Sequence, residues 1–271
     1  MKQSSAFLCL ITFLSAPAFA EEWKNSELPQ HSIQFGPEVM HYVNKVPADG
    51  VKFEGELHGF NASYAFHRGV MARFETRADW GDLSYTSPST GAASDIYFYT
   101  TEGRLLAGYD FLNDEEKNGS VYSGLGYRFL KNKGRDVLTD AGFSMYDRDS
   151  YFLYLPFGFE GSLMNLDHWG VGFNVEYDVL LDAHQKNRFS VVDPLFGDVD
   201  LNQKHGSGWR TSLKIRIKGK FADVTIEPYF RQWTIGDSDV GIISYDGAFY
   251  ATNRAPKNSI RESGVDVSLR Y

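Results

Sequence analysis

The chain has 271 residues, of which 42% are hydrophobic and 15% aromatic, and its formal net charge is -8. Its 21 Phe, 16 Tyr and 5 Trp residues exclude a disordered chain, because disordered segments are poor in aromatic residues. After residue 20, no apolar run approaches the roughly 18 residues that a membrane-spanning helix needs. The balance of 27 basic and 35 acidic side chains argues against nucleic acid as a partner.

Residues 1–20 have the pattern of a secretory signal peptide. Lys2 gives a basic start, residues 6–14 are apolar, and residues 18–20 (Ala-Phe-Ala) form a small-x-small cleavage pattern. We therefore predict a cleaved signal peptide over 1–20, a short periplasmic lead-in over 21–30 and a single domain over 31–271. The only cysteine, Cys9, lies in the predicted leader, which excludes disulfides and cysteine sites from the predicted mature chain.

From residue 31 onward, apolar and polar residues alternate with the period of a β-strand. Within 169–182, for example, Val171 and Phe173 share one face while Asn174 and Glu176 share the other. Most of these segments are longer than the usual soluble strand of about 5–6 residues. They predict an all-β fold of about ten strands, with eight or twelve as the alternatives. The predicted strands are 31–43, 51–66, 70–86, 95–111, 120–131, 150–163, 168–182, 208–218, 223–235 and 259–271.

The connections between these strands alternate in length. Short turns are predicted at 67–69, 112–119, 164–167 and 219–222. Long polar loops are predicted at 44–50, 87–94, 132–149, 183–207 and 236–258. Short turns at one end and long loops at the other are typical of transmembrane barrels. The favoured fold is a single transmembrane antiparallel up-and-down β-barrel with both termini on the short-turn side, and a soluble periplasmic barrel with outward charges is the alternative.

In a membrane barrel the charged face of each strand lines the lumen, because Arg or Lys at the lipid midplane costs about 2–4 kcal/mol. Opposite charges on neighbouring strands predict ion pairs, and these would plug so narrow a lumen. The charges predicted to line it are Arg73, Glu75, Arg77, Asp79, Glu102, Arg104, Glu176, Asp178, Asp182, Arg210, Lys214, Arg216, Lys218, Glu227 and Arg231.

Aromatic residues near strand ends predict the two interfacial girdles of such a barrel. They are Trp80, Tyr109, Phe111, Tyr127, Phe129, Tyr151, Trp169, Trp209, Trp233 and Tyr271. Sugar stacking at the outer rim is the alternative role for Trp80 and Trp233. Pro156 and Pro228 fall inside predicted strands and lack a backbone donor, so we expect bulges there.

The last strand places Val265, Val267, Leu269 and Tyr271 on one face. This alternation, with an aromatic as the final residue, resembles the C-terminal strand signature of bacterial outer-membrane barrels. The resemblance implies insertion by the barrel assembly machinery, which reads the strand ending in Tyr271, and contact with outer-membrane lipid.

Carboxylates and a histidine stand where two predicted strands enter long loops. Asp79 and Asp82 lie near the end of the third strand, and Asp182 and His184 lie at the end of the seventh. If these ends face each other across one rim, a His oriented by an Asp could activate a water molecule for peptide hydrolysis.

This constellation resembles the omptins, ten-stranded outer-membrane proteases, and the likeness includes residues 105–109 (Leu-Leu-Ala-Gly-Tyr). Asp182 and His184 match the Asp-x-His of that family, and Asp79, followed by tryptophan, matches the second acid of its Asp-x-Asp-Trp. Arg77 stands in the position of the first acid, so the full omptin catalytic set is missing. The chain also resembles omptin-like barrels such as the Protochlamydia outer-membrane proteins, a likeness that implies fold and not activity.

We therefore predict an integral, porin-like β-barrel protein of a Gram-negative outer membrane. Its predicted role is non-enzymatic: surface interaction, envelope integrity or limited solute passage. The alternatives are an omptin-like protease using Asp79, Asp82, Asp182 and His184, and a soluble periplasmic ligand-binding barrel. We expect no cofactor and no metal, because the sequence contains none of the zinc, phosphate-loop or calcium-loop motifs.

Overall fold

A computed structural model describes residues 30–113 and 117–271; the predicted signal peptide and all of the lead-in except residue 30 lie outside the described residues. One short 3₁₀ turn spans Phe189–Val191. The strands are β1 (His31–Val46), β2 (Val51–His67), β3 (Val70–Ser87), β4 (Gly91–Asn113), β5 (Asn118–Lys133), β6 (Asp147–Asn165), β7 (Trp169–Arg188), β8 (Val199–Gln203), β9 (Gly206–Ile217), β10 (Asp223–Ile235), β11 (Gly241–Tyr245), β12 (Ala248–Asn253) and β13 (Asn258–Arg270).

Ten of these strands close into an antiparallel up-and-down barrel, which confirms the predicted fold. The order around the barrel is β1, β2, β3, β4, β5, β6, β7, β9, β10 and β13, and β13 returns to pair with β1. Backbone hydrogen bonds of 3.0 and 2.8 Å join Ile33 and Tyr271, so both described chain ends lie at one end of the barrel. The short turns lie at this same end.

The connections at the opposite end are shorter than predicted in two places. The predicted loops 44–50 and 87–94 are tight turns at 47–50 and 88–90, because β1, β3 and β4 extend further at this end than the alternation indicated. Gly50 and Gly91 have φ of +65° and +83°, the left-handed conformation that favours glycine in turns. A long connection at 134–146 joins β5 to β6, and the two longest connections build a cap, defined here as residues 189–205 and 236–257. Within it, β8 extends the sheet beside β7, and β11 pairs with β12.

Apolar side chains cover the outer wall of the barrel, and charged side chains point into the lumen. Leu105 and Phe157, for example, are 64% and 50% exposed on the outside, whereas Arg231 is 0% exposed inside. This arrangement is the one that a lipid environment requires. Of the predicted girdle residues, Trp233 is misplaced: it is fully buried in the lumen, because it lies two residues after Arg231 and so shares its face.

The predicted bulges at Pro156 and Pro228 are wrong. Both prolines lie in strands of continuous register, because each removes a ladder hydrogen bond without inserting a residue. Register shifts occur elsewhere, and one of them lies in β7, where consecutive residues of β6 pair with Leu180 and Asp182 and leave Leu181 as the extra residue. From this point on, the two faces of β7 are exchanged.

Candidate functional site

Charged side chains in the middle of the lumen form ion pairs that cross the barrel. Arg231 of β10 donates hydrogen bonds of 2.7 and 2.8 Å to Glu102 of β4, and Arg128 of β5 contacts Glu262 of β13. In each pair the two strands stand five positions apart in the ring of ten, so the side chains meet across the full width of the lumen. The predicted ion pairs are confirmed, although these two join opposite walls and others join strands that are two or three positions apart instead of neighbours.

A second tier of charges lies nearer the short-turn end. Arg73 Nη1 and Lys214 Nζ lie 2.8 and 3.0 Å from oxygens of Glu160, and Arg104 contacts Glu176. A polar cavity of about 100 Å³ remains among these side chains. We call the two tiers together the charged belt.

An apolar layer closes the lumen on the loop side of the charged belt. Tyr42 packs against Phe98 with ring centroids 4.7 Å apart, and Trp233 packs edge-on against Tyr154 at 5.0 Å. The remaining buried members are Met40, Phe53, Leu57, Leu83, Tyr85, Ile96, Leu130, Phe152, Leu180, Ala183, Tyr229, Ile235 and Ile260. We did not predict this layer from the sequence, although its signal was present. On the loop side of Glu38, Asp79 and Glu102, most lumen-facing positions of β1, β3 and β4 are apolar, namely Met40, Tyr42, Leu83, Tyr85, Ile96 and Phe98.

Between the apolar layer and the cap lies a cavity of about 310 Å³, here called the vestibule. Its floor is the top of the apolar layer, including Tyr42, Phe53, Tyr85, Phe98, Leu130, Phe152 and Ile260. Its wall carries seven carboxamides, those of Asn44, Asn132, Gln185, Asn187, Gln203, Asn253 and Asn258. The charged residues that line it are Asp49, Arg148 and Arg254, and Arg254 forms an ion pair of 2.9 Å with Asp237. The vestibule is therefore an amide-rich chamber over an aromatic floor.

Part of the carboxamide wall is joined by hydrogen bonds between side chains. Gln185 Nε2 donates to Asn187 Oδ1 at 3.0 Å, and Asn187 Nδ2 donates to Asn253 Oδ1 at 2.7 Å. Gln203 Nε2 donates to the carbonyl oxygen of Gly236 at 2.8 Å. These bonds fix one side of the wall and connect it to the cap.

Asp239 joins the two segments of the cap. Its carboxylate oxygens accept hydrogen bonds from the Asn202 backbone N–H at 2.7 Å and from Asn202 Nδ2 at 2.9 Å. These bonds stabilise the charged form and lower the pKa of the Asp239 carboxyl below its ordinary value.

The structure brings together two of the four candidate catalytic residues. Asp182 Oδ2 and His184 Nε2 lie 2.8 Å apart, but the bulge at Leu181 turns both side chains to the outer wall. Asp79 is buried in the lumen, 3.3 Å from Arg77 Nε, whereas Asp82 has the opposite orientation on β3 and is exposed outside. A shared rim site formed by all four residues is therefore not assembled in this structure, and Asp182 is not one of the lumen charges.

No group of three or more His, Cys, Asp or Glu side chains within 30–113 and 117–271 is arranged to hold a metal ion. In this same part of the chain, no helix is long and apolar enough to cross a membrane.

Comparisons with known proteins show the fold. No family model and no curated protein sequence matches this chain. The crystal structure of the outer membrane protease OmpT from Escherichia coli is similar, with a TM-score of 0.60 and 12% identity, over 89% of this chain and 95% of that one. The transport unit of the autotransporter AIDA-I from Escherichia coli matches at a TM-score of 0.44 and 10% identity, over 93% of each chain. The similarity to OmpT shows that the chain has an omptin-like outer-membrane β-barrel fold, which by itself assigns no activity.

Proposed function

We propose that this chain is a non-enzymatic integral outer-membrane protein of a Gram-negative bacterium that acts in surface interaction through its vestibule. The observation that carries this proposal is the closed lumen: the charged belt and the apolar layer fill the barrel beneath a chamber on the loop side. In outer-membrane barrels the longer loops face the exterior. The vestibule would then receive ligands from outside without passing them on, which favours surface interaction over solute passage.

The outer wall supports the proposed location. Its apolar side chains would contact outer-membrane lipid, and the face of β13 that carries Val265 and Val267, each 42% exposed, leads to Tyr271 at the chain end. We propose that the barrel assembly machinery reads this strand, after export directed by a signal peptide over 1–20.

The test combines membrane fractionation with electrical recording. The folded protein should require detergent for extraction, migrate differently on gels before and after boiling, and give no steady conductance in planar bilayers. Steady single-channel currents would overturn the closed-lumen proposal and favour solute passage. Release of the protein without detergent would favour the soluble periplasmic barrel.

A further inference from the structure

We propose that the vestibule binds a small saccharide, held by the carboxamides of its wall and by the apolar side chains of its floor. This inference rests on the proposed function, because it requires the cap end of the barrel to face the exterior.

Four polar atoms that belong to vestibule residues are buried without a hydrogen-bond partner. They are Oδ1 of Asn44, Asn132 and Asn258 and Nε of Arg148. Asn258 as a whole is only 9% exposed. Buried polar groups in folded proteins nearly always have partners. Because their residues line a chamber of ligand size, a ligand that drew these side chains inward would complete the missing hydrogen bonds.

These groups converge from opposite walls of the barrel. Asn132 pairs in register with Arg148, and Arg148 with Asn187, so the three stand side by side on β5, β6 and β7. Asn44 and Asn258 come from β1 and β13, on the far side of the ring. A ligand in the vestibule would thus be contacted from two sides.

The chemistry of these groups matches hydroxyls. Three carbonyl oxygens need donors and one guanidinium nitrogen needs an acceptor, and a hydroxyl can serve in either role. The Arg148 guanidinium is held over the ring of Phe53 at 5.6 Å, and its Nη2 donates to the hydroxyl of Tyr146 at 3.1 Å. It is therefore placed to donate to a sugar oxygen as well.

The floor and rim provide the apolar contacts that a sugar ring needs. Phe143, 51% exposed, lines the vestibule, as do Tyr85 and Phe53, whose rings pack 4.9 Å apart. Aromatic faces of this kind can pack against the C–H face of a sugar while its hydroxyls reach the wall. The volume of about 310 Å³ lies at the lower end of the about 300–1,000 Å³ that is usual for small-molecule sites, which fits one or two sugar rings.

Two other classes of ligand fit less well. A hydrocarbon would pack against the floor but would leave the four polar atoms unpaired. An extended peptide that binds by strand addition needs a free sheet edge, whereas the groups here are side chains on a closed ring of strands.

The test measures saturable binding to the full mature protein, folded in detergent, by saturation-transfer NMR and calorimetry. The probes are defined mono- and disaccharides that cover neutral, N-acetylated and uronic acid sugars, with dodecane and a neutral dipeptide as the competing classes. The variants are Asn258→Leu, Asn132→Leu and Arg148→Met. Gln232→Leu is the matched control, because this carboxamide lies between the lumen-facing Arg231 and Trp233 and so faces the outer wall.

We expect at least one saccharide to bind, each vestibule variant to weaken it about tenfold or more, and Gln232→Leu to leave it unchanged. Gel migration before and after boiling checks that every variant is folded. Absence of saccharide binding, binding that the vestibule variants do not alter, or tighter variant-sensitive binding of dodecane or the dipeptide would each overturn the saccharide proposal. Because folding, fractionation and conductance are measured separately, such a result would leave the closed outer-membrane barrel standing.

Discussion

Arg231 and Glu102 form a two-bond ion pair across the full width of the barrel, joining β10 to β4 at 2.7 and 2.8 Å. Both residues are almost fully buried. A buried pair of this kind holds two walls of the barrel in one relative position, and it occupies the space through which a solute would have to pass. The stability of the barrel and the closure of its lumen therefore depend on the same contact.

The first prediction concerns the removal of one member of this pair. Arg231→Met leaves Glu102 as a buried carboxylate that has lost its principal partner, so we expect the free energy of unfolding to fall by about 3–5 kcal/mol. Denaturant titration of the barrel in lipid vesicles measures the change. Arg254→Met is the control, because its exposed ion pair with Asp237 should contribute about 0–1 kcal/mol. Equal losses in both variants would contradict the role of the lumen pair.

The second prediction tests how closely the lumen is packed. A Cβ added at Gly126 would lie 2.1 Å from the ring of Tyr154, whose hydroxyl contacts Glu102. We expect Gly126→Ala to displace this ring and to lower the free energy of unfolding by about 1–3 kcal/mol, as in other overpacked cores. Gly103→Ala, which meets no atom within 4 Å, is the matched control and should leave stability unchanged or slightly higher.

The third prediction distinguishes a lipid environment from water. Leu105 is 64% exposed on the outer wall beside the charged belt, and Phe249 is 69% exposed in the cap. In a membrane, Leu105→Arg should lower the free energy of unfolding by about 2–4 kcal/mol, whereas Phe249→Arg should change it little. The measurement is unfolding from lipid vesicles. If the two substitutions behave alike, the outer wall does not face lipid.

The fourth prediction addresses peptide hydrolysis. Asp182 and His184 contact each other on the outer wall, whereas Asp79 points into the lumen. We therefore expect no cleavage of a fluorogenic peptide panel by the folded protein, and no difference between the parent chain and His184→Ala. Cleavage that disappears in His184→Ala, with folding intact, would revive the omptin-like protease alternative.

The fifth prediction concerns pH and the cap. Because hydrogen bonds from Asn202 lower the pKa of Asp239, the stabilisation they give is fully present above the ordinary Asp pKa of about 3.9 and is lost as pH falls through the lowered value. The protection factor of the Asn202 amide against hydrogen exchange should therefore stay constant from neutral pH down to the ordinary Asp pKa. It should decrease only in stronger acid, as the pH falls through the lowered pKa of Asp239. In Asp239→Asn this acid-induced loss should be absent.

The sequence by itself determined the architecture of this protein. Alternation with a period of two identifies the ten barrel strands, and the charged residues at alternate positions identify the lumen face, because charge is costly in lipid. The same rule was sufficient to place Trp233 inside, since it shares a face with Arg231, although the aromatic girdle pattern favoured the outside.

Only the tertiary structure decided which side chains meet. Alternation fixes the face of a residue but neither the register of its strand nor the residue that reaches it across a closed ring. The contact of Arg231 with Glu102, and the convergence of Asn44, Asn132 and Asn258 on one chamber, are therefore visible only in the closed barrel. The bulge at Leu181 is likewise visible only in the tertiary structure, because nothing in the local sequence marks its position. Its one extra residue exchanges the faces of β7 and carries Asp182 and His184 to the outer wall.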